Sequence, residues 1–339
     1  MTQVSVIIRS LLAKVYFLFW WCWNFLYEHQ WIIPKRVNAT VVSVGNLTVG
    51  GTGKTPFTIF LANYYQQQGY RVGIVSRGYK GNYQGDVALV SDGTTLFGSA
   101  EMCGDEPMMM ARRLSGVPIA VSKDRYQGCQ LLIEKFKVNL ILLDDGFQHR
   151  RLHRDLNLLL IDTTQQNHFL LPKGPMRERV SAAERAHVII LTRQESENAN
   201  YVSPCPLTCP VLHTYFSPVA LIHFQTKVSQ SPSHLKGEKV LVFCGIGNPN
   251  SFLKMLTDLG ADVCASVVFQ DHYHYTALDI KEIERKSKTL GVKYIITTEK
   301  DAIKIEPLSV SGIDIFALRI EVGFREPSTV WERLLLYFS

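Results

Sequence analysis

Residues 45–56 read Gly45-Asn46-Leu47-Thr48-Val49-Gly50-Gly51-Thr52-Gly53-Lys54-Thr55-Pro56, directly after the apolar, β-branched run 39–44 and before a helical pattern. Strand, glycine-rich turn and helix in that order make a phosphate-binding loop. Gly50, Gly51, Thr52 and Gly53 offer backbone N–H groups to polyphosphate oxygens, and the following helix start adds partial positive charge. Lys54 would reach the β- and γ-phosphates of a bound polyphosphate and Thr55 would hold its Mg²⁺. Thr48 stands where the strict pattern has its first glycine.

Four further clusters carry charge or proton chemistry. The run Leu140-Ile141-Leu142-Leu143-Asp144-Asp145 puts two carboxylates at the end of an apolar strand, the edge where open α/β sheets bind ligands. Asp144 is the better metal ligand of the two, with Asp145 at the metal or behind it. Gly104-Asp105-Glu106-Pro107 opens a helical run. An acidic pair there serves as cap and dipole partner, or, beside a γ-phosphate, Asp105 accepts the proton of an attacking hydroxyl. Gln148, His149 and Arg150 begin a basic stretch beyond the aspartates, and Arg177 and Arg179 flank Glu178, a candidate metal or water-bridging carboxylate. Each basic cluster reads as an anion site or as a solvated surface. Asp271-His272 follows a strand far down the chain, and closure of two domains would bring His272 to Asp105 as a hydrogen-bonded pair.

Alternating strands and helices have to position these groups. Strands are expected at 71–76, 117–121, 139–143, 156–161 and 188–191, with helices at 57–68 and 125–136. That alternation implies right-handed crossovers and a parallel sheet covered by helices on both faces. Polar stretches at 195–210 and 225–238 mark a boundary, and a second βα series runs from 239 to about 297. A strand at 313–322 would pair with 219–224 as a two-stranded connector, and a last helix at 329–337 would return to the first domain. The resulting division is 1–36, an N-terminal membrane-associated helix; 37–218, the phosphate-loop domain; 219–238, the connector; 239–317, a smaller α/β domain; and 318–339, the returning strand and helix.

Bulk properties narrow the class. The chain has 339 residues, 46% hydrophobic and 19% charged, enough for two folded domains and unlike a disordered protein. A net charge of +6 is too small to argue for nucleic acid. Seven cysteines, odd in number and mostly within apolar runs, read as free, buried thiols of a reducing compartment. Cys205 and Cys209 lack the companion pair that a zinc site needs. Residues 15–27 contain no charge and eight aromatics, with Arg9 and Lys14 before them. Thirteen residues are too few to span a bilayer, so the run is expected to lie in an anionic membrane interface, or else to be a core helix.

Taken in order, the phosphate loop, Ser76-Arg77-Gly78-Tyr79, Gly104-Asp105-Glu106-Pro107, Asp144-Asp145-Gly146-Phe147-Gln148-His149, Arg177-Glu178, Asp271-His272 and Thr298-Glu299-Lys300-Asp301-Ala302 resemble the tetraacyldisaccharide 4′-kinase family. The likeness extends over nearly the whole chain. It implies a P-loop NTPase-like parallel sheet domain and a smaller α/β domain joined by a two-stranded β connector. It implies ATP- and Mg²⁺-dependent phosphorylation of the 4′-hydroxyl of a tetraacylated disaccharide 1-phosphate by a monomer at the cytoplasmic face of the inner membrane, with no nucleic acid partner. Asp105 would be the base, His272 its partner, and Lys54 and Thr55 the nucleotide contacts. Asp144, Gln148 and Glu178 would surround Mg²⁺, and Asp145, His149, Arg77, Arg125 and Arg177 would meet substrate or transition state. Gln270 takes the place of a proline in the family's pattern around Asp271-His272. The rival reading is a membrane-associated ATPase of the partitioning type, whose additional loop lysine is replaced here by Val49.

Overall fold

The computed structural model describes residues 3–193, 209–308 and 314–336. Helix α1 (Gln3–Glu28) precedes β1 (Thr40–Asn46), α2 (Lys54–Gln67) and β2 (Val72–Ser76). Next come β3 (Val87–Ser91), α3 (Ala100–Cys103), α4 (Asp105–Arg113), β4 (Ile119–Ser122), α5 (Arg125–Phe136) and β5 (Leu140–Asp144). Strands β6 (Leu156–Asp162), β7 (Val188–Thr192), β8 (Val211–His223), β9 (Ser229–Gln230) and β10 (Lys239–Cys244) follow. The chain continues through α6 (Pro249–Asp258), β11 (Asp262–Val268), α7 (Ala277–Leu290), β12 (Tyr294–Thr298), α8 (Glu299–Ile305), β13 (Ile315–Phe324) and α9 (Ser328–Leu335).

These strands form one sheet in the order β11-β10-β12-β13-β8-β7-β6-β1-β5-β2-β4-β3, with β9 on β8. Pairing is parallel except at β3/β4, β8/β9 and β8/β13. The long β8 joins the two parallel regions, since residues 211–213 pair with β7 while 214–223 pair with β13. The expected two-stranded connector is therefore built from β8 and β13. Strand β1 lies between β5 and β6, and its register sets Val44 opposite Asp144, so the aspartates emerge beside the phosphate loop.

Both faces of the central strands are apolar, as parallel strands covered by helices require. Val42, Val44, Leu140 and Leu142 pack toward α2 and α4, while Val41, Val75, Ile141 and Leu143 pack toward α5. Each such side chain contributes roughly 1.5–3 kcal/mol on full burial, which anchors the strand ends that carry the polar groups. Helix α9 returns onto α2, where Tyr65 donates to the Leu335 carbonyl at 2.8 Å and Trp331 meets Phe60 and Tyr64.

Several local expectations need correction. Helix α1 runs from residue 3, not 15, because Arg9 and Lys14 interrupt the apolar run without breaking helical periodicity. Ile8, Leu11, Leu12, Val15, Leu18 and Phe19 are exposed along it, while Asn24 and Tyr27 are buried against the body. Among the described residues no helix is long and apolar enough to cross a membrane. Strand β3, which no expected element covers, forms the half-buried sheet edge beside β4. Cys22 on α1 and Cys264 on edge strand β11 are exposed, unlike the buried Cys103, Cys129 and Cys244. Most of the expected boundary at 195–210, with Cys205, lies outside the described residues, as do Ile313 and Tyr337 at the ends of the expected connector strand and last helix.

Candidate active site

Two glycines shape the phosphate loop. Gly50 and Gly53 have φ of +114° and +87°, in the left-handed region, and a Cβ on Gly53 would lie 2.1 Å from Phe216 Cζ of β8. Lys54 then enters the first turn of α2 with its Nζ 3.1 Å from Asn46 Oδ1 and 3.5 Å from Asp145 Oδ1. Thr48 is tolerated in place of glycine because its φ is not positive and its hydroxyl accepts from Asn46 Nδ2 at 3.2 Å. It also bridges to Met176, tying the loop to the segment that carries Arg177.

The adjacent aspartates have opposite environments. Asp144 is fully buried and accepts from Thr58 Oγ1 at 3.3 Å and Ser76 Oγ at 3.1 Å. Burial, then repulsion from Glu106 and Asp145, pushes its carboxyl up to about 7. At Asp145 the backbone turns to φ +52°, and Arg177 Nη1 donates to both of its oxygens at 2.7 and 2.9 Å. Burial opposes ionisation there too, but Lys54 and Arg177 outweigh it and hold the carboxyl well below the usual range. Asp145 lines the central cavity, with Asp144 behind it.

The other residues singled out from the sequence divide between the cavity and the body. Gln148 donates from Nε2 to the Asn46 carbonyl at 2.8 Å and accepts from Arg177 at 3.3 Å. His149 faces the same cavity; burial and the nearby Arg125 lower its ring to about 4, so it is neutral at physiological pH. Arg77, Arg125 and Arg177 complete a cationic wall. Glu178 is placed elsewhere, since its carboxylate is consumed in a buried ion pair with Arg185 and does not line the cavity.

The opposing wall comes from the second half of the chain. His272 Nδ1 lies 3.0 Å from Asp105 Oδ2, linking residues 167 positions apart. Asp105 begins α4 and is only 7% exposed. Burial raises its carboxyl, but the His272 hydrogen bond and the Lys300 charge prevail and lower it to about 2. His272 has φ +61°, a conformation costing of order 1–3 kcal/mol in a non-glycine residue. The turn that imposes it closes by hydrogen bonds from Tyr273 N–H to the Gln270 carbonyl at 3.1 Å and from His272 N–H to the Gly245 carbonyl at 3.3 Å, so Gln270 serves where proline was expected. Sequence reasoning left Lys300, Asp271, Lys123 and Tyr16 without roles, although all four line the cavity. The usable signal for Lys300 was its place just after a strand, at the same sheet edge as the phosphate loop.

Two cavities meet at that loop. The larger, about 750 Å³, holds the arginines, Asp145, His149 and His272. The smaller, about 170 Å³, is an apolar slot bounded by Phe216, Ile246, Phe252 and Met255. Gly50, Gly51, Lys54, Glu106 and Lys300 belong to both. An apolar slot opening onto a phosphate loop, and through it onto a cationic chamber, defines a P-loop phosphotransferase.

Comparison with known proteins makes that class specific. The family described as Tetraacyldisaccharide-1-P 4'-kinase matches residues 6–338. The tetraacyldisaccharide 4'-kinase of Syntrophus aciditrophicus is 36% identical over 328 residues, covering 92% of this chain and 87% of the relative. That of Pelobacter propionicus is 37% identical over 318 residues, covering 91% and 86%. A crystal structure of LpxK from Aquifex aeolicus in complex with ATP superposes with a TM-score of 0.81 at 34% identity, covering 100% of this chain and 99% of the other. The chain belongs to the tetraacyldisaccharide-1-P 4'-kinase family and is a kinase. The partitioning-type ATPase is not favoured.

Proposed function

We propose that this kinase moves the γ-phosphoryl group of ATP to the 4′-hydroxyl of a tetraacyldisaccharide 1-phosphate, giving lipid IVA, with Asp105 as the base. The observation that carries the residue assignment is the Asp105–His272 hydrogen bond beside the junction of the two cavities. The hydroxyl oxygen bonds to the γ-phosphorus, the bond from that phosphorus to the β–γ bridging oxygen breaks, ADP leaves with the electron pair, and the hydroxyl proton passes to Asp105. A transition state that is mostly dissociative leaves the hydroxyl proton in place until late. A carboxylate kept ionised by His272 and Lys300 is then adequate, and it is available across the physiological pH range.

Lys54 and the N–H groups of residues 50–53 hold the β- and γ-phosphates, and Arg77, Arg125 and Arg177 spread the charge of the transferring group or meet the acceptor. The oxygen donors fit Mg²⁺. Among the described residues no three carboxylate, histidine or cysteine groups converge as a preformed cage. Mg²⁺ instead favours one or two carboxylates together with nucleotide phosphates and water. Thr55, Asp145 and Gln148 would hold it, with Asp144 behind them as the outer carboxylate; burial first, then repulsion from Glu106 and Asp145, lifts the Asp144 carboxyl, and a cation would relieve the repulsion. Once bound, Mg²⁺ neutralises developing phosphate charge. Glu178, committed to Arg185, is given no place among these ligands.

The acceptor's acyl chains draw the enzyme to lipid, since each buried CH₂ is worth about 0.8 kcal/mol. The exposed apolar side chains of α1 suit the cytoplasmic face of the inner membrane, with the protein acting as a monomer. In that arrangement the chain divides at 36, 218, 238 and 317, with the cuts at 218 and 317 falling inside β8 and β13, the strands common to both parts. Lys54→Ala and Asp105→Ala should both abolish transfer from labelled ATP to the lipid acceptor, with ATP affinity kept only in Asp105→Ala. Equal loss of ATP binding in the two variants would remove Asp105 from the base role.

A further inference from the structure

The motif Thr298-Glu299-Lys300-Asp301-Ala302 enters the mechanism above only as the Lys300 charge beside Asp105, and β12 delivers that lysine to the junction of the two cavities. Lys300 Nζ lies 3.1 Å from His272 Nε2, 3.2 Å from Asp271 Oδ1, 3.4 Å from Glu106 Oε1 and 3.7 Å from Asp105 Oδ2. Burial disfavours its charge, but Glu106, Asp105 and Asp271 outweigh burial and keep it an ammonium group.

An ammonium group has three donors and no acceptor. In the bond to Lys300, His272 Nε2 must therefore accept, which leaves the ring proton on Nδ1 to be donated to Asp105 Oδ2 at 3.0 Å. The opposite tautomer would aim an N–H at the ammonium and a bare nitrogen lone pair at the carboxylate. Lys300 is itself held firmly. Asp301, its fully buried neighbour, accepts from Gly245 N–H at 3.0 Å and Thr298 Oγ1 at 2.7 Å, and Glu299 accepts from Arg113 and Arg319 at 2.8 Å each.

We propose that Lys300 is a positioning residue that selects the Nδ1-protonated tautomer of His272 and so orients Asp105 across the cleft. The inference deepens the reading of Asp105 as the base and rests on it for its kinetic consequence. The tautomer itself is independent of that reading.

The test uses the full-length protein labelled with ¹⁵N-histidine, with the His272 signals assigned by their absence in His272→Gln. Wild type should show a protonated Nδ1 and an unprotonated Nε2, without substrate present. In Lys300→Met the tautomer should shift toward Nε2 protonation. Its kcat should fall roughly 10- to 100-fold, in the range seen when a group orienting an active-site residue is removed, while KM for ATP stays within about 2-fold. Lys300→Arg, which keeps charge and donors, should retain the wild-type tautomer and recover most of kcat. A proton on Nε2 in wild type overturns the proposal, and that measurement stands even if Lys300→Met does not fold. An unchanged tautomer in Lys300→Met with a raised KM for ATP also overturns it, placing Lys300 on the nucleotide phosphates. Transfer surviving in Asp105→Ala, with the tautomer result intact, would refute the base assignment alone.

Discussion

Gly247 offers a test of how tightly the two halves must close. Its φ is not in the left-handed region, so alanine is compatible with its own backbone. The obstacle lies across the cleft, where a Cβ would sit 2.7 Å from Gly51 N and 3.3 Å from Gly50 Cα of the phosphate loop. Ordinary van der Waals contact begins at 3.4 Å. Both neighbours are backbone, so the loops must part by about 0.7 Å to relieve the overlap. The His272–Asp105 bond spans the same cleft at 3.0 Å, and an equal displacement would take it to about 3.7 Å, beyond hydrogen-bonding reach. Displacements near 1 Å cost about 100-fold in rate when they spoil the geometry of reacting groups. Gly247→Ala should therefore lower kcat for phosphoryl transfer by one to two orders of magnitude, while its thermal denaturation midpoint stays close to wild type because the change lies in a cleft. Wild-type kcat in a folded Gly247→Ala protein would refute the link between closure and the Asp105–His272 pair.

Two other outcomes follow from the same geometry. The Asp144 carboxyl is raised from 3.8 to about 7 in the folded state, so the fold binds the extra proton between those values and its stability falls as pH rises through that window. Asp144→Asn cannot titrate, so in metal-free buffer its denaturation midpoint should gain on wild type from about pH 4 to about pH 7 and hold the gain above that; parallel profiles would contradict the placement of Asp144. On α1, replacing the exposed Leu11, Leu12, Leu18 and Phe19 with serine should abolish cosedimentation with anionic phospholipid vesicles and change stability by no more than about 0.5 kcal/mol per site. Undiminished vesicle binding would exclude that face as the docking surface.

Local pattern was enough to read the phosphate loop, the central strands and the aspartate pair from the amino-acid sequence. Glycine spacing between a β-branched run and a helical run specifies a strand-loop-helix unit, and four apolar residues before Asp144 specify a strand buried on both faces. Pattern of that range says nothing about which strands are neighbours or which of two adjacent carboxylates faces a ligand. The difference between Asp144 and Asp145 arises from one turn to φ +52° and from Arg177, 32 residues away. Glu178, next to a cavity arginine in sequence, is diverted by Arg185. The Asp105–His272–Lys300 assembly exists only because β8 and β13 join the two parallel regions and bring the strand ends of both halves to one cleft. Periodicity along the chain determined the elements and their polar tips. The tertiary structure decided their partners, because hydrogen bonds and ion pairs depend on distances of a few ångströms that sequence separation does not encode.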